Sequence, residues 1–510
     1  MKTVIPALVM MLLWMAGPAA AKPGNAESGA EVYARRCTWC HGVEGEGDGP
    51  AAERLNPPPR DFTSAQYKIK TTSFEDDFAN DENMFRMIRD GMPGTAMPGW
   101  SDVLSEQEMW DLVWYIKTVA GLEEEELGQD MDYGTRIESS PESIEKGKQL
   151  FLEDDRCVEC HGKEGKGDAV KGLKDDAGFR TWPRNLTKPW TFRASNDPKD
   201  IFARISTGIP GTQMPAFSDP ASEKVLSVEQ RWHVANYVNS LAKTDKAVSP
   251  ENTVIKADKL DGALPAAADD PQWEQTVPTT FFLVPQIIAE QRFFTPSNDT
   301  VTVRALYNDE RIAILLEWDD RTESKPGNET AAEISDSELT QDAIAIQLPV
   351  TIPQGSEKPY FGMGDVSHPV NMWQWLGGTV ESPESVKLYN ATGFTDIEQR
   401  DATQSGITAK GVYKDGTWKV LMTRLRNAAD SEKDIEFVEG KYIPIALAAW
   451  DGSNSEQGSR HTMTTWYWLL LKPDTGAGPA IAALIVMLLL AGIQFWWVRN
   501  SARQRREPGV

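Results

Sequence analysis

Cys37, Cys40 and His41 form a Cys-x-x-Cys-His pentapeptide, and Cys157, Cys160 and His161 form a second. The chain has 4 cysteines, and these two motifs use them all. Cys-x-x-Cys alone also serves zinc or thiol redox chemistry. With histidine next in line it is the attachment signature of c-type heme, in which two thiols on one turn of backbone reach the two vinyl groups of a porphyrin and the imidazole meets the iron. Two copies predict two covalently bound hemes c. The sixth iron ligands are expected from Met97 and Met214, which follow His41 and His161 by about the same distance. Each precedes a proline, which fixes the loop and removes a competing N–H. Each also has an aromatic residue three positions on, Trp100 or Phe217, placed to shield the heme edge. Met/His ligation raises the potential and closes the iron to substrate, so the pattern predicts carriers rather than catalysts. Met84, Met87, Met92 and Met109 read as core methionines. Arg60 and Arg184 each follow a proline at matching positions and are candidate partners for a buried heme propionate.

The motifs lie within an internal duplication. Gly29–Ala34 and Gly147–Leu152 lead into the pentapeptides, and Gly-rich loops (44–48 and 164–168) follow them. Then come Pro59-Arg60 and Pro183-Arg184, and the methionine loops Gly94-Thr95-Ala96-Met97-Pro98 and Gly211-Thr212-Gln213-Met214-Pro215. Each copy closes on a helix whose start has capping-box spacing, Ser105/Glu108 and Ser227/Gln230, with Trp110/Tyr115 matching Trp232/Tyr237. Two copies of one all-α domain are predicted, over 22–127 and 140–245. Acidic residues 123–126 and the polar stretch to Ser143 read as a linker.

The 510 residues allow three or four units. A net charge of −24 argues against nucleic-acid binding, which needs basic patches. Lys2, the apolar run Ile5–Met15 and Ala19-Ala20-Ala21 predict a signal peptide over 1–21. Residues 479–498 are almost wholly apolar and are followed by Arg499, Arg503, Arg505 and Arg506. That pattern predicts a single transmembrane helix with a cytoplasmic tail, 499–510. The expected location is the periplasmic side of a bacterial inner membrane.

Residues 246–272, rich in Ala, Asp and Pro, read as a linker. From 273 to 473 the periodicity becomes two. Thr300–Leu306 with Arg311–Trp318, and Gly411–Tyr413 with Thr417–Arg424, flank turn signals and predict hairpins. Ile344–Val350, Tyr442–Trp450 and Thr462–Leu471 add further strands. An all-β sandwich is predicted.

Residues 24–245 resemble the diheme cytochrome c family, through Cys-x-x-Cys-His and Gly-Thr-x-Met-Pro. Tyr360-Phe361-Gly362-Met363-Gly364, His368 to Trp375, Ala449-Trp450-Asp451-Gly452 and Thr465-Trp466-Tyr467 resemble the heme-b-binding subunits typified by ethylbenzene dehydrogenase, over 270–472. That resemblance implies one non-covalent heme b, held by a methionine and a lysine. Met363 matches the methionine. His461 stands at the lysine position, a departure that leaves an imidazole as the implied ligand, with His368 or Met463 as alternatives. It also implies a periplasmic molybdoenzyme as redox partner, with a second carrier or a quinone-linked complex on the other side. Three readings follow: a three-heme electron relay, a diheme carrier with a cofactor-free docking domain, and a heme enzyme acting on peroxide or a nitrogen oxide. The first is preferred; both Met-Pro loops close the iron, which argues against the third.

Overall fold

The computed structural model describes residues 24–504, apart from 56, 94, 123–129, 154–155, 170–172, 177, 179–180, 244–247, 249–250, 295, 336–337, 356, 429 and 474–477. The expected signal peptide and the end of the tail lie outside the described residues. Two compact units divide between Thr244 and Asp245.

The first unit is helical: α1 (Ala26–Arg36), α2 (Thr38–His41), α3 (Asp81–Asp90) and α4 (Glu106–Val119), then α5 (Pro141–Leu152), α6 (Cys157–His161), α7 (Pro198–Thr207) and α8 (Val228–Ser240). Both predicted capping boxes form. Glu108 N–H donates to Ser105 Oγ at 3.2 Å while the Glu108 carboxylate accepts the Ser105 N–H at 2.8 Å, and Ser227/Gln230 repeat the exchange. These contacts satisfy otherwise unpaired donors at the starts of α4 and α8. Each closing helix crosses the opening helix of its copy at a glycine. A Cβ on Gly29 would stand 2.1 Å from the Asp111 carbonyl oxygen, and one on Gly147 2.0 Å from that of His233. Matching stacked pairs, Phe85 on Trp110 and Phe202 on Trp232, both 4.4 Å between centroids, fill the two cores.

The described part of the expected inter-copy linker is ordered. Met131 N–H donates to the Thr71 carbonyl at 2.8 Å, Trp232 Nε1 to the Tyr133 carbonyl at 2.9 Å, and Asn236 Nδ2 to the Ile137 carbonyl at 3.0 Å. The segment thus fastens one copy to the other. Arg86 adds a bidentate bond to Asp200 (2.8 and 2.7 Å) and Lys68 an ion pair with Asp175 (3.2 Å).

The second unit is β-rich. Its strands are β1 (Val254–Lys259), β2 (Thr279–Phe282), β3 (Val284–Pro285), β4 (Thr300–Tyr307), β5 (Arg311–Asp319), β6 (Ala343–Pro349) and β7 (Val370–Leu376), followed by β8 (Ser385–Ala391), β9 (Ile397–Arg400), β10 (Thr408–Lys414), β11 (Thr417–Leu425), β12 (Tyr442–Trp450), β13 (Thr462–Met463) and β14 (Tyr467–Leu471). The predicted hairpins are β4–β5 and β10–β11. The strands form one mixed sheet in the order β10-β11-β5-β4-β1-β14-β12-β6-β7-β8-β9. Trp318 of β5 meets Trp375 of β7 at 6.2 Å, six places apart in that order, so the sheet folds its two halves face to face over a shared core.

Two expectations are corrected. The stretch 246–272 is no plain linker: β1 lies mid-sheet, parallel to both β4 and β14, with Ile255 and Ala257 buried. Its brief alternation supports a strand only because partners distant in sequence bracket it. At the other end, residues Gly478–Gln504 form a single helix, yet among the described residues no helix is long and apolar enough to cross a membrane, so the span expected over 479–498 is not shown.

Candidate functional site

The first pentapeptide is held in one turn. His41 N–H donates to the Cys37 carbonyl at 2.9 Å and Cys40 N–H to the same oxygen at 3.2 Å, which sets both thiols and the imidazole on a short arc. Tyr33, buried on α1, donates its hydroxyl to the Gly42 carbonyl at 3.0 Å and pins the end of that turn. His41 Nδ1 lies 3.0 Å from the Arg60 carbonyl oxygen, and its ring stacks on Phe62 at 4.5 Å. In the second copy His161 Nδ1 lies 3.0 Å from the Arg184 carbonyl oxygen. An Nδ1–H donated to a carbonyl fixes the tautomer and leaves Nε2 with a bare lone pair, as an iron ligand requires. Burial lowers the pKa of both imidazoles, which keeps them neutral. Burial pushes the Cys37 and Cys157 thiols up to about 12, so neither is poised as a thiolate for disulfide exchange.

Cys37, Cys40 and His41 open into an apolar cavity of about 1390 Å³, counting its open mouth, which has room for a porphyrin. Met97 and Pro98 also line it, with Met84, Met87, Met92 and Trp100. Met84 and Met109 are core residues as expected, but Met87 and Met92 face the cavity. The threonine of each Gly-Thr-x-Met-Pro motif has a defined task. Thr95 Oγ1 donates to the Met92 carbonyl (2.7 Å) and accepts the Met97 N–H (3.1 Å). Thr212 Oγ1 does the same for Ile209 (2.8 Å) and Met214 (3.3 Å). The loop is thereby closed one residue pair before the thioether.

Arg60 lines the first cavity, and its backbone carbonyl orients His41. The Pro-Arg turn therefore supplies a histidine acceptor as well as a guanidinium, a role its sequence did not announce. Two further donors were missed: the Tyr67 hydroxyl, which lines the first cavity, and Trp190 Nε1 in the second copy. Both are buried without an acceptor. An orphaned donor in the cavity that Arg60 lines suits a carboxylate-bearing porphyrin edge. The first cavity therefore fits heme.

In the β unit, β12 turns Leu447 and Ala449 to the core and Ala446, Ala448 and Trp450 to the opposite face. Met363 packs at that face with Ala446, Met372 and Trp466, at φ 66°, a left-handed conformation that is costly for a methionine. His461, buried, lies against Trp450 at 4.7 Å. Its Nδ1 lies 3.0 Å from the Gly458 carbonyl oxygen, the same device that orients His41 and His161, and burial lowers its pKa to about 4. Ala345 and Ala448, paired across β6 and β12, are partly exposed on that face, with Met463 paired to Ala448 across β13. His368 instead turns its Nδ1 to the Asp365 carboxylate at 3.1 Å and is partly exposed. This face thus carries a thioether, Met363, and, against Trp450, the neutral imidazole of His461.

A feature unread in the sequence is a buried acidic cluster, Asp320, Asp342 and Asp451, whose carboxylates lie within 4.8 Å of one another. Its members come from three separate strand ends, and no local pattern marks them.

The cytochrome c family model matches residues 26–120 and 144–242, and the ethylbenzene dehydrogenase model matches 270–396. The chain is 28% identical over 199 residues to ORF7 of Haloferax mediterranei, named for a respiratory nitrate reductase heme subunit, with 39% of this chain and 66% of that protein covered. It is 25% identical over 252 residues to the chlorate reductase subunit gamma of Ideonella dechloratans, with 47% and 96% covered. It is 31% identical over 115 residues to cytochrome c55X of Paracoccus denitrificans, with 22% and 94% covered.

Proposed function

Because the chain belongs to the cytochrome c family through two of its domains and carries an ethylbenzene dehydrogenase-type domain after them, we propose that it is a three-heme electron relay serving a molybdoenzyme-like oxidoreductase. It is an electron-transfer protein rather than a catalyst. The observation that carries the reading is the shared orientation of three imidazoles: His41, His161 and His461 each hold Nδ1 at 3.0 Å from a backbone carbonyl oxygen.

Heme, when bound, supplies a one-electron iron couple. The protein's residues do the rest. Cys37/Cys40 and Cys157/Cys160 would tether the hemes c, His41 and His161 would supply an imidazole to each iron, and Met97 and Met214 a thioether. Met363 and His461 would hold the heme b. Arg60 and Arg184 lie on the Pro-Arg turns, where heme carboxylates are expected. Rigid, closed ligand sets change little between oxidation states, which suits transfer and excludes substrate.

The partner reading rests on the names of the similar subunits, which belong to nitrate and chlorate reductases. The β unit is the proposed docking end, and a second carrier or a quinone-linked complex receives or supplies the electron. The proposed location is the periplasmic side of a bacterial inner membrane. The exposed apolar run from Leu484 to Val498, followed by Arg499, supports an attachment there.

Acid-acetone extraction of purified protein tests the reading. One heme b per chain is expected in the extract and two hemes c in the residue, and carbon monoxide should leave the reduced spectrum unchanged. An extract without heme favours the cofactor-free docking module, and a carbon monoxide shift favours a heme enzyme.

A further inference from the structure

The residues lining the first cavity run from Tyr33 to Ile116, with one exception: Arg193, from the second copy. Arg193 sits on the loop between a short 3₁₀ turn (Pro189–Thr191) and α7. That loop is anchored to its own copy, since Asn239 Nδ2 donates to the Asn196 carbonyl at 2.7 Å. The loop thus projects its arginine across the seam from a fixed base.

No carboxylate is paired with Arg193 among the described residues, Asp175 being held by Lys68. The Arg193 Nε is buried with no hydrogen-bond acceptor. The charged groups that act on it or feel it are cations: Arg184 on one side and Lys68 on the other. Lys68 in turn feels Arg60 and is paired with Asp175. Burial, then Arg184, lowers the guanidinium's pKa to about 10. A guanidinium whose Nε is buried without an acceptor, among like charges, calls for an anion. Tyr67, whose hydroxyl is also buried without an acceptor, lines the same cavity.

We propose that Arg193 completes the first heme's pocket from the neighbouring copy, donating its guanidinium to a carboxylate of that heme together with the Tyr67 hydroxyl. The proposal rests on reading the first cavity as a heme site. Its consequence is that the second domain sets the first heme's potential. A positive charge beside the porphyrin favours the reduced iron, so removing it lowers the midpoint. The cations at the seam, Arg60, Lys68, Arg193 and Arg184, then form one electrostatic bridge between the two heme pockets.

The test is a redox titration of the full-length chain in a Met214→His background, which moves the second heme out of the high-potential range. Heme content is counted first: fewer than two covalent hemes sinks the heme reading itself, separately from this proposal. With both hemes present, Arg193→Gln should lower the first heme's midpoint by about 59 mV, a tenfold change for one electron. Arg193→Lys should restore most of it. Arg86→Gln cuts the Asp200 pair at the same seam without touching the cavity and should leave the midpoint in place. An unmoved midpoint in Arg193→Gln overturns the proposal. So does an equal shift in Arg86→Gln, which would make the effect one of loosened packing.

Discussion

Replacing Thr95 with valine should loosen the first heme's methionine without altering any residue that touches iron. The threonine hydroxyl makes two hydrogen bonds that close the ligand loop, 2.7 Å to the Met92 carbonyl and 3.1 Å from the Met97 N–H. Valine keeps the shape and loses both. At about 1 kcal/mol net per bond, the closed loop is weakened by roughly 2 kcal/mol. With each 1.4 kcal/mol worth a factor of ten, the fraction of chains with Met97 off the iron should rise about 30-fold. Imidazole binding to the ferric protein reads this directly, because it competes for the vacated position. Its apparent affinity for the first heme should rise by the same factor, and Thr95→Ser should behave as wild type. Equal imidazole affinity in Thr95→Val and wild type would refute both the hydroxyl's role and the ligand loop drawn from it. Thr212→Val makes the same prediction for the second heme through Ile209 and Met214.

His461→Ala should abolish the extractable heme b while leaving both hemes c, whereas His368→Ala should keep all three, as counted by extraction and pyridine spectra. Phe202→Ala removes a fully buried ring stacked on Trp232 and should destabilise the helical unit by about 3–5 kcal/mol, seen as a lower melting temperature. The β unit should lose stability as pH rises. Burial, then Asp451, raises the Asp342 carboxyl to about 8, and Asp320 and Glu456 shift the same way. Between about pH 4 and 8 the folded state therefore binds more protons than the unfolded one. Unfolding free energy should fall across that window by on the order of a few kcal/mol. Thermal melts over a pH series check this, and a flat profile would contradict it.

What the sequence made legible was local chemistry. Cys-x-x-Cys-His, the Met-Pro loops and the two capping boxes each depend on residues a few positions apart, so their spacing carries their meaning. The hairpins β4–β5 and β10–β11 were readable for the same reason, since a turn of two or three residues joins each pair. The features that escaped are assembled over distance. β1 is a strand because β4 and β14 flank it, and neither is near it in sequence. The Arg60 and Arg184 carbonyls act through backbone geometry that no side-chain pattern encodes. Arg193 has no counterpart motif and gains its position only when the two copies pack. The apolar C-terminal run was read by composition as a crossing, which is not shown among the described residues.

The central claim, two hemes c bonded through Cys37/Cys40 and Cys157/Cys160, is tested most directly by the intact mass of the denatured chain after acid-acetone treatment. The account predicts a polypeptide mass increased by two hemes, falling to one heme when Cys37 and Cys40 are both changed to serine. A mass equal to the bare polypeptide, or one unchanged by that double substitution, would contradict it.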